Sequence, residues 1–218
     1  MVEASLYRLR FSDAELKQQQ DYWRPICAFL QQWIKPDGVT LDLGAGYCHF
    51  INTIRSAEKL ALDLNEENLR KYAGPDVRSI VGDGAKLTDI PASSVDSVFA
   101  SNVYEHFQSR EQVAESFYEV RRVLRPGGHF VIMQPNFAYC QAEYFDFFDH
   151  RLIFTHRGMA EGLQIADFSL IEVIARFLPY TSKGRLPKAT WLVSLYMKFR
   201  PVWSILGAQM LIVARKPD

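Results

Sequence analysis

Val39-Thr40-Leu41-Asp42-Leu43-Gly44-Ala45-Gly46-Tyr47-Cys48 decides the fold class. A short apolar run ends in a Gly-x-Gly turn, and a helical pattern follows over 47–57. Glycines at such a turn permit backbone conformations closed to other residues and let the main chain come close to a bound molecule. In open α/β sheets, ligands sit beyond the carboxyl ends of the strands. This stretch therefore predicts a parallel-sheet unit with a binding site at Gly44–Gly46.

The same rhythm continues outward. Strands are expected at 59–64, 77–81, 95–100 and 129–133, with a helix over 66–72. A further helix carries Val113, Phe117, Val120 and Leu124 on one face and stops at Arg125-Pro126-Gly127-Gly128. Upstream, Ser12 and Glu15 have capping-box spacing, and Trp23, Ile26, Cys27, Leu30 and Ile34 form an apolar helical face. Pro25 is expected to break that helix or to open a second one, and Pro36-Asp37-Gly38 to end it. Downstream, 137–154 reads as a loop or short helix rich in aromatic and acidic residues. Thr155 is a candidate N-cap for a helix to Ala166; 168–177 and 209–214 are candidate strands. The very apolar 188–206 is a candidate helix interrupted by Lys198, Arg200 and Pro201. Alternating strands and helices predict an α/β fold, a doubly wound, Rossmann-like sheet with helices on both faces. We expect a single domain over 1–218, with an N-terminal helical lid at 1–36, a ligand-binding core at 37–134 and a substrate-side part at 135–218.

Lys plus Arg and Asp plus Glu both number 25, so the formal net charge is +0, which argues against sequence-independent nucleic-acid binding. Cys27, Cys48 and Cys140 are too sparse for a disulfide framework and lack the spacing of a zinc site. The first ten residues have no apolar signal-peptide core, and no uncharged apolar run reaches the roughly 18 residues of a membrane span. A cytoplasmic location is the expectation.

The residues around the turn narrow the ligand. A nicotinamide-binding turn needs G-x-G-x-x-G, and its third glycine position is occupied by His49. Asp42, just before the turn, would repel phosphate and suit an ammonium group. Asp63 closes the second strand, where a carboxylate can accept both hydroxyls of a ribose; Asp83 closes the third, where it can accept an adenine amino group. Any one of these acids could be an ordinary N-cap or turn residue. Three in phase with three strands point to one ligand that carries an ammonium and an adenosine and no phosphate, as S-adenosylmethionine does.

On these residues the chain resembles the class I S-adenosylmethionine (SAM)-dependent methyltransferases, of the bacterial small-molecule, methyltransferase-11/12-like type. Leu41-Asp42-Leu43-Gly44-Ala45-Gly46 is similar to the family's first motif, Asp63 to its ribose-binding acid and Gly82-Asp83-Gly84 to its adenine-side motif. Ser101-Asn102-Val103-Tyr104-Glu105-His106 resembles the segment after its fourth strand, and Leu124–Gly128 the turn before its fifth. The resemblance spans roughly 39 to 134 and implies a seven-stranded sheet whose last strand is antiparallel. It implies SAM as cofactor, S-adenosylhomocysteine as product, and a cofactor site made of Asp42, Gly44, Ala45, Gly46, Asp63, Leu64, Asp83, Gly84 and Asn102. Where the family often has a third glycine this chain has Cys48, for which a buried packing role is expected over a reactive one.

For the acceptor the sequence offers candidates only. His106 and His150 are the candidate catalytic side chains, His106 alternatively being bonded to backbone at a helix start. Asp146, Asp149, His150 and His156 are metal-ligating types at no recognised spacing, so a substrate-lining loop is expected and no metal. Phe137, Tyr139, Tyr144, Phe145, Phe147 and Phe148 could wall an apolar acceptor or pack under the loop, and Tyr7, Phe11, Tyr22 and Trp23 could cover the cofactor. The segment 191–206 should be buried, paired in a homodimer or laid on a membrane surface. The expected activity is methyl transfer from SAM to a small-molecule or lipid- or sugar-linked acceptor, with oxygen the first choice of accepting atom. The alternatives are a SAM-binding protein without transfer activity and, disfavoured by His49, a nicotinamide oxidoreductase.

Overall fold

The computed structural model describes residues 13–180 and 190–218. Ser12 of the capping box, Tyr7, Phe11 and Lys188 lie outside the described residues. Strands β1 (Val39–Leu43), β2 (Glu58–Asp63), β3 (Val77–Val81), β4 (Val95–Ser101), β5 (Leu124–Pro135), β6 (Ser169–Ile174) and β7 (Gln209–Arg215) form one seven-stranded sheet. Its order is β3-β2-β1-β4-β5-β7-β6, and β7 runs antiparallel to both neighbours while the others are parallel. The implied fold is thus observed. After β3 at the far edge the chain returns to place β4 beside β1, so the order reverses at β1 and a crevice opens between the ends of β1 and β4.

Alternation along the strands feeds two cores. Leu41, Leu43, Leu60, Leu62, Val98, Ala100, Phe130 and Ile132 pack on one face against α4 (Arg110–Val123) and α6 (His156–Ile165), through Val113, Phe117, Val120, Met159 and Leu163. Ala61, Phe99, Val131, Met133, Leu211 and Val213 pack on the other against α1 (Asp13–Leu30), α2 (His49–Thr53) and α7 (Thr190–Lys198). On that face Phe50 stacks on Phe99 at 3.9 Å, and Trp23 meets Phe99 edge-on at 5.9 Å.

Several boundaries differ from the sequence reading. Helix α1 runs unbroken through Pro25. Proline removes one intrahelical donor, but Ile26, Cys27 and Leu30 beyond it are buried, and that burial outweighs the lost bond. The helix expected over 47–57 shrinks to five residues, because Cys48 is left-handed at φ 57° and Ile54 is already extended. Leu124 to Gly128 were expected as helix end and turn; instead they begin β5, with Leu124 paired to Val95 and a shift in register before Ser97. The 188–206 helix is cut into α7, a 3-10 turn at Arg200–Val202 and α8 (Trp203–Leu206), with Pro201 inside the turn. Thr155 caps α6 as expected, accepting from Gly158 N at 3.3 Å. The 137–154 region forms α5 (Phe137–Cys140) and a 3-10 helix at Gln141–Asp146, and α3 spans Glu66–Tyr72.

Phe130 is fully buried at the centre of β5, against Tyr104, Phe117 and Phe168. Phe130→Ala should destabilise the protein by about 3–5 kcal/mol, read as a lower urea midpoint at unchanged m-value. A loss under about 1 kcal/mol would mean that this layer closes over the cavity.

Candidate functional site

The turn after β1 is tied to the end of β2. Gly44 N and Ala45 N both donate to Leu62 O, at 2.8 and 3.0 Å, and Gly46 N donates to Asp63 Oδ2 at 2.7 Å. Asp63 Oδ1 accepts from Asn65 N at 2.8 Å, ahead of α3. Gly44 has φ +71° and faces Val103, whose Cγ2 would lie 2.5 Å from an added Cβ, so no larger residue fits. Gly46 has φ +51° and nothing within 4 Å of a Cβ position, so its flank is open. Cys48 takes the left-handed conformation that a third glycine would have adopted without strain. Its thiol is fully buried and is pushed up to about 12 by burial and by the nearby Asp42 and Asp63. The reactive-thiol reading therefore has no support from its surroundings.

A cleft of about 600 Å³ opens beyond these strand ends, a size suited to a nucleoside-sized ligand. Gly44, Asp63, Leu64, Asp83, Gly84 and Asn102 all line it, so six of the nine expected cofactor residues come together from the ends of β1 to β4. Asp42, Ala45 and Gly46 do not line this cleft. Asp42 lies beneath the turn, 3% exposed, and accepts from the backbone of Ile51. Asp83 closes its own turn, accepting from Ala85 N at 2.9 Å and Gln112 Nε2 at 3.3 Å. Val103, Phe107 and the largely exposed Leu64 supply apolar surface. The described wall also includes Glu66, Glu67 and Asp149, and no Lys or Arg.

His106 lines the cleft at the end of a 3-10 turn, Tyr104–His106, with Nδ1 3.2 Å from Asp149 O and 3.5 Å from Asp149 Oδ2. The backbone contact expected as the alternative for His106 is present. His150 is not part of the cleft wall; its Nδ1 meets Tyr144 O at 2.9 Å and its ring stacks on Phe147. His156 bonds Asn136 and stands apart from this group. The aromatic set divides: Tyr144 is buried, Phe145 and Phe148 are exposed, and none of the six forms part of the cleft wall. Trp23 packs on Phe50 and Phe99 instead of covering the cleft.

Two features went unread in the sequence. Gln112, on α4, reaches Asp83 across the cleft. Glu105 is 1% exposed, and burial pushes its carboxyl up. An acid beside a histidine just after a strand was the available signal.

Burial, helped by the neighbouring Asp63, pushes Asp42 up from 3.8 to about 8. With the folded value above the unfolded one, the native state holds the extra proton; stability is lost as pH rises from about 4 to about 8. Asp42→Asn should remove this slope. The difference in Tm between variant and wild type, both ligand-free, should move in the variant's favour across that window. A difference independent of pH would mean that Asp42 stays ionised throughout.

Residues 41–132 match the methyltransferase domain family. No curated protein matches the chain. Among solved structures it is similar to a chain from the complex between the Haloferax volcanii Trm112 methyltransferase activator and a methyltransferase, with TM-score 0.70, 19% identity, and 94% of this chain and 95% of that one covered. It is also similar to a SAM-dependent methyltransferase from Archaeoglobus fulgidus, with TM-score 0.65, 16% identity and 88% and 93% covered. A third is a SAM-dependent methyltransferase from Mesorhizobium loti, with TM-score 0.61, 20% identity and 86% and 95% covered. Residues 41–132 thus match a methyltransferase domain, and the fold of the chain is that of SAM-dependent methyltransferases.

Proposed function

We propose that the protein moves a methyl group from SAM to a small-molecule, lipid-linked or sugar-linked acceptor, at an oxygen atom. One observation carries the cofactor side: a single cleft gathers Asp63, Leu64, Asp83, Gly84 and Asn102, with acids along its wall and no Lys or Arg among the described lining residues. Such a wall suits a cationic ligand and opposes a pyrophosphate. The fit extends to shape. Asp63 can accept ribose hydroxyls, Asp83 an adenine amino group, and Leu64 and Phe107 can face a planar base. The open flank of Gly46 leaves room for the methionine part. When bound, SAM supplies an electrophilic methyl on sulfonium. The chain's own task is to align the acceptor with that methyl and to exclude water. His106 and Asp149, both part of the wall, are the polar groups we assign to the acceptor.

Calorimetric titration tests this reading. S-adenosylhomocysteine and SAM should bind with micromolar affinity and NADH should not. Asp63→Ala should weaken S-adenosylhomocysteine by about 1.5–3 kcal/mol, roughly tenfold to 150-fold. No adenosyl binding by the folded protein would remove the cofactor assignment. Binding without turnover on any oxygen acceptor would leave a SAM-binding protein.

A specific observation favours an apolar partner or a lipid-linked acceptor. Trp191, Leu195, Phe199, Ile205 and Leu206 are exposed, while Met197 and Trp203 on the same segment are buried. No helix among the described residues is long and apolar enough to cross a membrane. We assign this row to contact with a lipid surface or a second copy. Flotation with anionic liposomes and sedimentation velocity should each respond to Trp191→Ser with Leu195→Ser. A monomer that ignores liposomes would exclude both contacts.

A further inference from the structure

Helix α7 is apolar on the side it turns outward as well as on the side it buries. Val193, Tyr196 and Met197 pack into the core beside α1. Trp191 and Leu195 on α7, Phe199 just after it and Ile205 on α8 are each more than half exposed. A helix on a water-facing surface ordinarily carries its polar residues outward.

The polar groups of this segment are turned inward. Ser194 Oγ donates back to Thr190 O at 3.0 Å, and Tyr196 Oη donates to Phe177 O at 2.5 Å. Carbonyls that a helix end ordinarily leaves to water are taken by side chains. Tyr196 O accepts from Trp203 Nε1 at 2.8 Å, and Ile205 O and Gly207 O accept from the Arg176 guanidinium at 2.6 and 2.7 Å. A surface closed in this way sheds its water at little cost, since few polar groups remain to be desolvated.

The charge around the row is of one sign. From Val173 to Pro217 the sequence has eight Lys or Arg and no Asp or Glu, in a chain whose net charge is +0. Lys198 and Arg200 flank Phe199, and both are exposed. The Arg200 guanidinium lies 5.6 Å from the Phe29 ring and 5.4 Å from the Trp203 ring, and 3.7 Å from Glu172 of β6. This charge separates a lipid surface from a second copy. A two-fold dimer centred on the row would set Lys198 and Arg200 against their own counterparts. An anionic headgroup layer attracts the same cations while the acyl region receives the aromatic and aliphatic side chains. The row is also well placed. The chain leaves the sheet after Ile174 and returns at Gln209, which pairs with Pro135 at the carboxyl end of β5. That is the sheet edge at which β1 to β4 deliver the cleft residues.

We propose that the row from Trp191 to Leu206, with Lys198 and Arg200, docks on an anionic lipid surface and holds the cleft edge of the sheet close to it. Among the acceptors of the proposed function this selects the lipid-linked one. That selection rests on the proposed function; the lipid contact itself does not.

The test uses the full chain with two kinds of vesicle carrying brominated acyl chains, phosphatidylcholine alone and phosphatidylcholine with about one third phosphatidylglycerol. Anionic vesicles should quench the tryptophan fluorescence, because Trp191 is exposed while Trp33 and Trp203 are buried. Pure phosphatidylcholine should bind at least about tenfold more weakly. Trp191→Phe should still float with anionic vesicles and should lose most of the quenching. Lys198→Gln combined with Arg200→Gln should weaken binding by roughly tenfold to thirtyfold. Each variant's affinity for S-adenosylhomocysteine, measured without vesicles, is the control for folding. Vesicle binding without S-adenosylhomocysteine binding would keep the surface and sink the transferase reading. A protein that binds S-adenosylhomocysteine and ignores both vesicles would overturn the surface. So would equal affinity for the two vesicles, quenching that persists in Trp191→Phe, or a dimer abolished by Leu195→Ser in a protein that binds no vesicle.

Discussion

The cleft depends on one hydrogen-bonded joint, the turn after β1 bound to the end of β2. Gly44 and Ala45 give their amides to Leu62 O, and Gly46 gives its amide to the Asp63 carboxylate. Because Asp63 also receives Asn65 N, the same side chain fixes the approach to α3. Parallel strands end in unpaired backbone groups, and here those groups tie the β1 turn to the end of β2. The joint fixes the β1 side of the crevice at the point where the strand order reverses. Gly44 is indispensable to it, since a Cβ there would collide with Val103 on the opposite loop.

The fold, and the meeting of Gly44, Asp63, Leu64, Asp83, Gly84 and Asn102 at one cleft, were legible because they rest on local signals. Each strand is a short apolar run, each acid comes at or near the end of a strand, and three such coincidences reinforce one another. The failures have physical causes too. Pro25 was read as a breaker because propensity sees one lost donor, whereas the structure weighs it against a buried face. The strand start at Leu124 was hidden by a Pro-Gly-Gly sequence that ordinarily marks a turn; here its partner Val95 holds it in the sheet. Asp42 was read as a ligand contact, yet it lies under the turn and off the cleft wall, a distinction of depth that one-dimensional spacing does not carry.

The surroundings of His106 were the least legible, because their geometry is made by long-range pairing. Glu105 and His106 are adjacent in sequence, but His150 joins them only through the bonds from Arg151 and Leu152 to Glu105 O. Asp146, Asp149, His150 and His156 were read as part of one loop at no recognised metal spacing, and the fold turns them in different directions. His156 turns to Asn136, while Asp149 and His150 turn to His106. A motif search on that segment alone would group the wrong residues.

Charge placement, not net charge, characterises the cleft. The chain as a whole is neutral at +0, yet Asp63, Glu66, Glu67, Asp83 and Asp149 share one cleft, with Asp42 and Glu105 buried behind it. Acids gathered in this way repel one another, and burial makes Asp42 and Glu105 harder to ionise. Such a cost persists in a stable fold only where something compensates it. Hydrogen bonds compensate Asp63 and Asp83, whereas Glu105 keeps one oxygen with no donor among the described residues. An acidic wall of this kind suits positive charge, and an anionic cofactor such as a dinucleotide would find no Lys or Arg among the described lining residues.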